Sequence, residues 1–169
     1  MQAMKRIEMR NVLLMPLLLS ILAGTAEPRG AVQGWRGNLP LHSTRIDVER
    51  LLGPGTDRGK DPCKCAYYLD DLNVFFDYSS GDCKSRSGAW DVPPDTVIKI
   101  VVHPKRKLSL ADAGIDESKF EKRRDGELAD LVSYWNEEEG LHIDFDEGSK
   151  RVQGFYYGPA KRDEGLRCP

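Results

Sequence analysis

The run from Thr96 to His103 constrains the fold more than any other stretch: Thr-Val-Ile-Lys-Ile-Val-Val-His is almost entirely β-branched apart from Lys99. Such side chains are stiff at χ1 and pack well on a pleated surface, so the run predicts a strand at the centre of a sheet, ended by Pro104. Further strands are expected around it. Ala66–Leu69 and Asn73–Tyr78 form a hairpin about Asp70-Asp71, with Val74, Phe76 and Tyr78 on one side. Three more strands follow at Leu131–Asn136, Leu141–Phe145 and Arg151–Tyr157, with Glu139-Gly140 and Glu147-Gly148 in the turns. The clearest alternation sets Leu141, Ile143 and Phe145 against His142, Asp144 and Asp146.

Helical signals are short. Thr44-Arg45-Ile46-Asp47 has the form of a capping box, Val48, Leu51 and Leu52 recur at helical spacing, and Gly53-Pro54 stops the segment. A helix over about Arg45–Leu52 is therefore expected. Shorter helical turns are expected at Leu108–Ala113 and Glu117–Arg123. The whole reads as an α+β domain, an antiparallel sheet with short helices packed on one face. A helix-plus-three-strand pattern recurs at residues 40–103 and 108–157, as two tandem half-repeats.

The first 26 residues have the pattern of a secretory leader. Lys5, Arg6 and Arg10 precede an apolar run from Val12 to Leu22, and Ala23-Gly24-Thr25-Ala26 offers a cleavage site after Ala26. The run is shorter than the roughly 20 residues a membrane-spanning helix needs, and no second long apolar segment occurs. Residues 27–39, rich in Gly, Arg and Pro, read as a tether, and residues 40–169 as one domain in a periplasmic or extracellular setting. The chain holds 25 Lys+Arg and 27 Asp+Glu. Three of those bases and one acid lie in the leader, so the remainder is mildly acidic, which argues against a nucleic-acid or anionic-membrane surface.

Cys63, Cys65, Cys83 and Cys168 all follow the leader, an even number suited to disulfides in an oxidising compartment. One residue separates Cys63 from Cys65, and a bridge between them would be strained, so one is expected to bond Cys83 and the other Cys168. Cys-x-Cys with one distant cysteine and no nearby His matches no strong zinc spacing, and no metal or cofactor is expected.

The segment Leu41-His42-Ser43-Thr44-Arg45-Ile46-Asp47-Val48-Glu49-Arg50-Leu51-Leu52-Gly53-Pro54 resembles the helix-opening segment of small outer-membrane-assembly lipoproteins and of β-lactamase-inhibitor-protein-like domains. That resemblance implies helices on one face of an antiparallel sheet and a partner protein engaged by the other face or its loops. The chain departs from it in lacking a lipid-attachment cysteine beside the apolar run and a Gly-Pro stop in the second half. The stretches YYLDDLNVFFDYSSGDC and VPPDTVIKIVV also look like those of uncharacterised exported bacterial proteins, which implies no activity.

Catalytic patterns are weak. His42, His103 and His142 are available, but no Gly-x-Ser-x-Gly elbow surrounds a serine, and Ser79-Ser80-Gly81 reads as a loop. Asp70-Asp71, Glu137-Glu138-Glu139 and the Asp144/Asp146 pair fit turns and solvated faces; Asp144, Asp146 and Glu147 lack EF-hand spacing. Lys105-Arg106-Lys107 and Lys122-Arg123-Arg124 are interleaved with acids. Among Trp90, Trp135, Tyr156 and Tyr157, the rings of Trp90, Tyr156 and Tyr157 are the candidate ligand contacts. The expected function is a non-enzymatic exported module that binds a protein or peptide; the alternative is a small hydrolase using carboxylate or His chemistry.

Overall fold

A computed structural model describes residues 34–58, 61–81, 83, 89–124 and 130–169. The leader, most of the tether and much of the 79–94 loop lie outside the described residues. The elements are α1 (Arg45–Leu52) and strands β1 (Thr56–Arg58), β2 (Asp61–Tyr68), β3 (Leu72–Tyr78), β4 (Val97–Pro104), β5 (Glu121–Arg124), β6 (Leu131–Asn136), β7 (Leu141–Asp146) and β8 (Arg151–Tyr157). They build one eight-stranded sheet in the order β1-β2-β3-β4-β8-β7-β6-β5, antiparallel at every pairing.

The expected α+β architecture is corrected: the fold is nearly all-β, with α1 its single α-helix among the described residues. In the second half, Leu110–Gly114 is a succession of turns, Glu117–Lys119 is one 3-10 turn, and Glu121–Arg124 is a strand rather than a helix end. The reason is burial. Leu110 is the one fully buried side chain from Ser109 to Arg124, so no apolar stripe repays the cost of nucleating a helix there. β1 and the first half of β2 extend the sheet through a stretch whose Gly, Asp and Pro content reads as loop.

α1 spans the expected residues because its caps are local. The Thr44 amide donates to Asp47 Oδ2 at 2.9 Å, the Asp47 amide donates back to Thr44 Oγ1 at 3.4 Å, and Gly53, at φ 78°, closes the end by donating to the Glu49 carbonyl.

β3, β6 and β7 bury alternate residues on one face. Val74, Phe76 and Tyr78 of β3 join Ile100 and Val102 of β4, Tyr67 of β2, Val48 of α1 and Trp35 in one apolar cluster. Val132, Tyr134, Leu141, Ile143, Phe145 and Val152 form a second with Leu110. Phe155 and Tyr157 pack against both, so β8 welds the two four-stranded meanders into one core.

The expected disulfide pairing is also corrected. Cys83 bonds Cys168, with Cα atoms 5.6 Å apart, and Cys63 and Cys65 are free thiols. Both free cysteines sit at alternate positions of β2, which point to the same side, and Cys65 is 2% exposed in the core cluster. The C-terminal segment instead returns to the β3–β4 loop, where Trp90 pairs with Arg167, and this juxtaposition selects Cys83 for Cys168. Among the described residues no helix is long and apolar enough to cross a membrane.

Candidate functional site

The face opposite the core is set by the same alternation. It carries Phe75, Asp77, Lys99, His103, Ser133, Trp135, His142, Asp144 and Tyr156, most of them half-buried. Register brings rings into line, since Trp135 lies opposite His142 and His142 opposite Tyr156. Their rings stack, Trp135 to His142 at 4.0 Å and 10° between planes, and His142 to Tyr156 at 4.9 Å and 21°. The Arg123 guanidinium covers Trp135 at 5.0 Å, and Lys99 Nζ lies 5.8 Å from the Tyr156 centroid. Beyond Tyr156 the row continues edge-on through His103 to Phe75 and Tyr68.

Asp144 organises the base of this stack. It accepts from His142 Nε2 at 2.7 Å and from Ser133 Oγ at 2.8 Å, with the Tyr156 phenol close enough to interact with it electrostatically. Burial pushes its carboxyl up, but these donors outweigh burial and hold it below the ordinary 3.8. Tyr156 moves the other way: burial, with the Asp144 carboxylate beside it, pushes the phenol up to about 12.

Asp144→Ala should therefore strand the Ser133 and His142 donors and destabilise the fold by about 1–3 kcal/mol at neutral pH. A carboxylate whose folded value is depressed contributes stability above its unfolded value and loses it as pH falls through the folded one. The difference between wild type and variant in urea unfolding should thus shrink on acidification below 3.8. An equal difference at pH 7 and about pH 2.5 would mean that Asp144 is not an ionised hub.

At the end of the sheet where β3, β6 and β8 finish, this face deepens into a cleft of about 680 Å³, a size usual for a ligand site. Tyr156, His142, Trp135 and Lys99 form its floor; Leu141, Tyr157 and Ile98 supply apolar surface. Its wall is the segment after β8, with Pro159, Lys161 and Glu164, together with Trp90 from the β3–β4 loop. The wall sits close because Gly140, at φ 63°, has no Cβ; one there would meet the Gly158 carbonyl at 2.4 Å. Gly158 N–H donates to the Gly140 carbonyl and Lys161 N–H to that of Glu137. Charges at the rim are paired: Glu137 with Arg123, Lys161 with Glu138 and Glu164 with Arg167.

Trp90, Tyr156 and Tyr157 all line this cleft. Cys83 and Cys168 tie its wall, whereas Cys63 and Cys65 lie on β2 outside the cleft lining. Sequence reading missed the part played by His142, Lys161 and Glu164. Rings on the polar face of three alternating strands were a usable signal for Trp135, His142 and Tyr156; nothing local marks Lys161 or Glu164.

The other chemistry-bearing residues are spread apart. His42 donates to Asp163 at 3.0 Å, and His103 Nδ1 to the Gln153 carbonyl at 3.0 Å. Asp146 caps the β7–β8 turn by accepting from the Ser149 amide, and Glu147 pairs with Lys122 and Arg124. Among the described residues no three His, Cys, Asp or Glu side chains converge to hold a metal ion. The chain matches no protein-family profile, no curated protein and no solved structure.

Proposed function

We propose that this protein is an exported, non-enzymatic binding module that takes a peptide or loop of another protein into the cleft at the strand ends. The observation that carries the reading is the cleft's anatomy: Trp90, Trp135, Tyr156 and Tyr157 around Ile98 and Leu141, ringed by charges already paired to one another. Protein-binding surfaces have this arrangement, an aromatic and apolar centre that excludes water and a polar rim that does not. Export is supported by the leader pattern and the Cys83–Cys168 bond.

The sheet edges favour a face over an edge as the binding surface. β5 is Glu-Lys-Arg-Arg, exposed throughout and ion-paired to Glu147 and Glu137, and β1 has three residues. Short or charged edges resist the addition of a foreign strand. The polar cluster favours binding over hydrolysis as well. Asp144 sits between Ser133 and His142 and accepts from both, so His142 Nε2 is committed to the acid rather than poised to take the serine proton.

Selection of a phage-displayed random peptide library on the oxidised protein tests the reading. A consensus peptide should emerge, and Trp90→Ala should weaken it by about thirtyfold or more, the scale of a buried Trp anchor. No consensus, or one indifferent to Trp90, would remove the proposal.

A further inference from the structure

The cleft wall is fastened at two places of different character. Its near end is held from within the fold: Asp163, 6% exposed, accepts from His42 and from the Ala160 amide, and Lys161 N–H donates to the Glu137 carbonyl. Its far end, where Trp90 closes the cleft, is held by a two-residue antiparallel contact. Asp91 N–H donates to the Leu166 carbonyl at 2.7 Å, Cys168 N–H to that of Ala89 at 2.8 Å, and the Arg167 guanidinium lies 4.5 Å from the Trp90 ring centroid. A segment held by so few contacts opens locally at little cost unless it is tied. Here the tie is covalent, joining Cys83 and Cys168 across 85 residues of sequence.

Neither bonded cysteine lies within a strand. The sheet, its two core clusters and α1 are built from residues other than this pair, whereas the Trp90 side of the cleft is anchored beside it.

We propose that the Cys83–Cys168 bond is a latch that completes the cleft, so that the site becomes competent only after export has oxidised the chain; the competence half of this statement rests on the binding reading above. Forming the latch removes two protons and two electrons from the two thiols. They pass by thiol–disulfide exchange to an oxidised dithiol carrier, whose own disulfide becomes two thiols. A chain still in a reducing compartment would carry the finished sheet and an open cleft.

Native-state hydrogen exchange tests the latch without any ligand, on the protein reduced with dithiothreitol and, separately, on the Cys83→Ser/Cys168→Ser double variant. Reduction should lower the protection of the Asp91 and Cys168 amides by about a hundredfold, the scale of a loop-closing bridge. Lys161, Asp163 and sheet amides such as Val102 and Ile143 should keep theirs. Protection retained at Asp91 and Cys168 would overturn the latch, and protection lost throughout the sheet would make the bond a staple of the whole fold.

The selected peptide then decides competence. Binding tenfold or more weaker to the reduced protein supports it, and equal binding to an opened wall overturns it. If the oxidised protein selects no Trp90-dependent peptide, the binding reading and the competence half fall together while exchange still decides the latch.

Discussion

Phe76→Ala should destabilise the protein by about 3–5 kcal/mol, the usual cost of emptying a fully buried phenylalanine site. Phe76 is 0% exposed on the core face of β3. Its ring meets Trp35 at 6.0 Å and Tyr67 at 5.7 Å edge to face, and stacks on Tyr78 at 6.2 Å. These partners come from the segment before α1, from β2 and from β3 itself, so they cannot move together into the space. The loss takes a large share of the roughly 5–15 kcal/mol that holds a domain of this size. Urea unfolding should report a lower midpoint with an unchanged slope. Phe75→Ala, one residue along and on the open face beside His103 and Tyr68, should cost clearly less. A loss of under about 1 kcal/mol for Phe76→Ala would refute the placement of that ring at the centre of the first core cluster.

Alkali should unfold the protein well before its arginines titrate. Burial pushes the Tyr157 phenol up to about 12 from an ordinary 10.0. Burial likewise raises Tyr67, Tyr78 and Tyr134, and burial with Asp144 raises Tyr156. The unfolded chain loses these protons first, so stability is fully present below pH 10 and falls as pH rises towards the folded values. Tyr157 alone should account for about 2–3 kcal/mol of that fall. Phenolate absorbance at 295 nm followed with circular dichroism checks this. Most tyrosines should ionise together with loss of the sheet signal, and Tyr157→Phe should move the transition to higher pH. Ionisation complete near pH 10 with the sheet intact would rule the buried phenols out.

How much was readable from the chain follows the range of the forces involved. The alternation of Leu141, Ile143 and Phe145 predicts a strand with one buried face because side chains in a strand point alternately to either side, and these three are the buried ones. The Thr44 capping box and Gly53 place α1 to the residue because each hydrogen bond closes within four positions. β1 and β5 carried no such mark. Glu-Lys-Arg-Arg is a strand because β6 offers it a backbone edge, and its charges are satisfied by Glu137 and Glu147, which are distant in sequence. Leu108–Ala113 read as helical from spacing, but the structure gives Leu110 alone a buried place there.

The rings of the open face divide in the same way. Parity along β6, β7 and β8 puts Trp135, His142 and Tyr156 off the core face, and that much is a property of each strand by itself. Their stacking requires a register that aligns Trp135 with His142 and His142 with Tyr156 across three strands. The wall over them requires a C-terminal segment to return across the sheet end.

The sequence by itself determined the central strand, the residues that face inward, α1 with both its ends, and the presence of cysteines able to bond. These rest on side-chain shape, period-two alternation and contacts between residues a few positions apart. Only the tertiary structure decided that one sheet joins both halves through β8, that Cys83 rather than Cys63 or Cys65 meets Cys168, and that Trp90, Tyr156 and Tyr157 line one cleft. Each depends on which distant segments meet. That choice is made by burying the two apolar clusters against shared partners and by closing backbone hydrogen bonds, a sum over the whole chain that no local window contains.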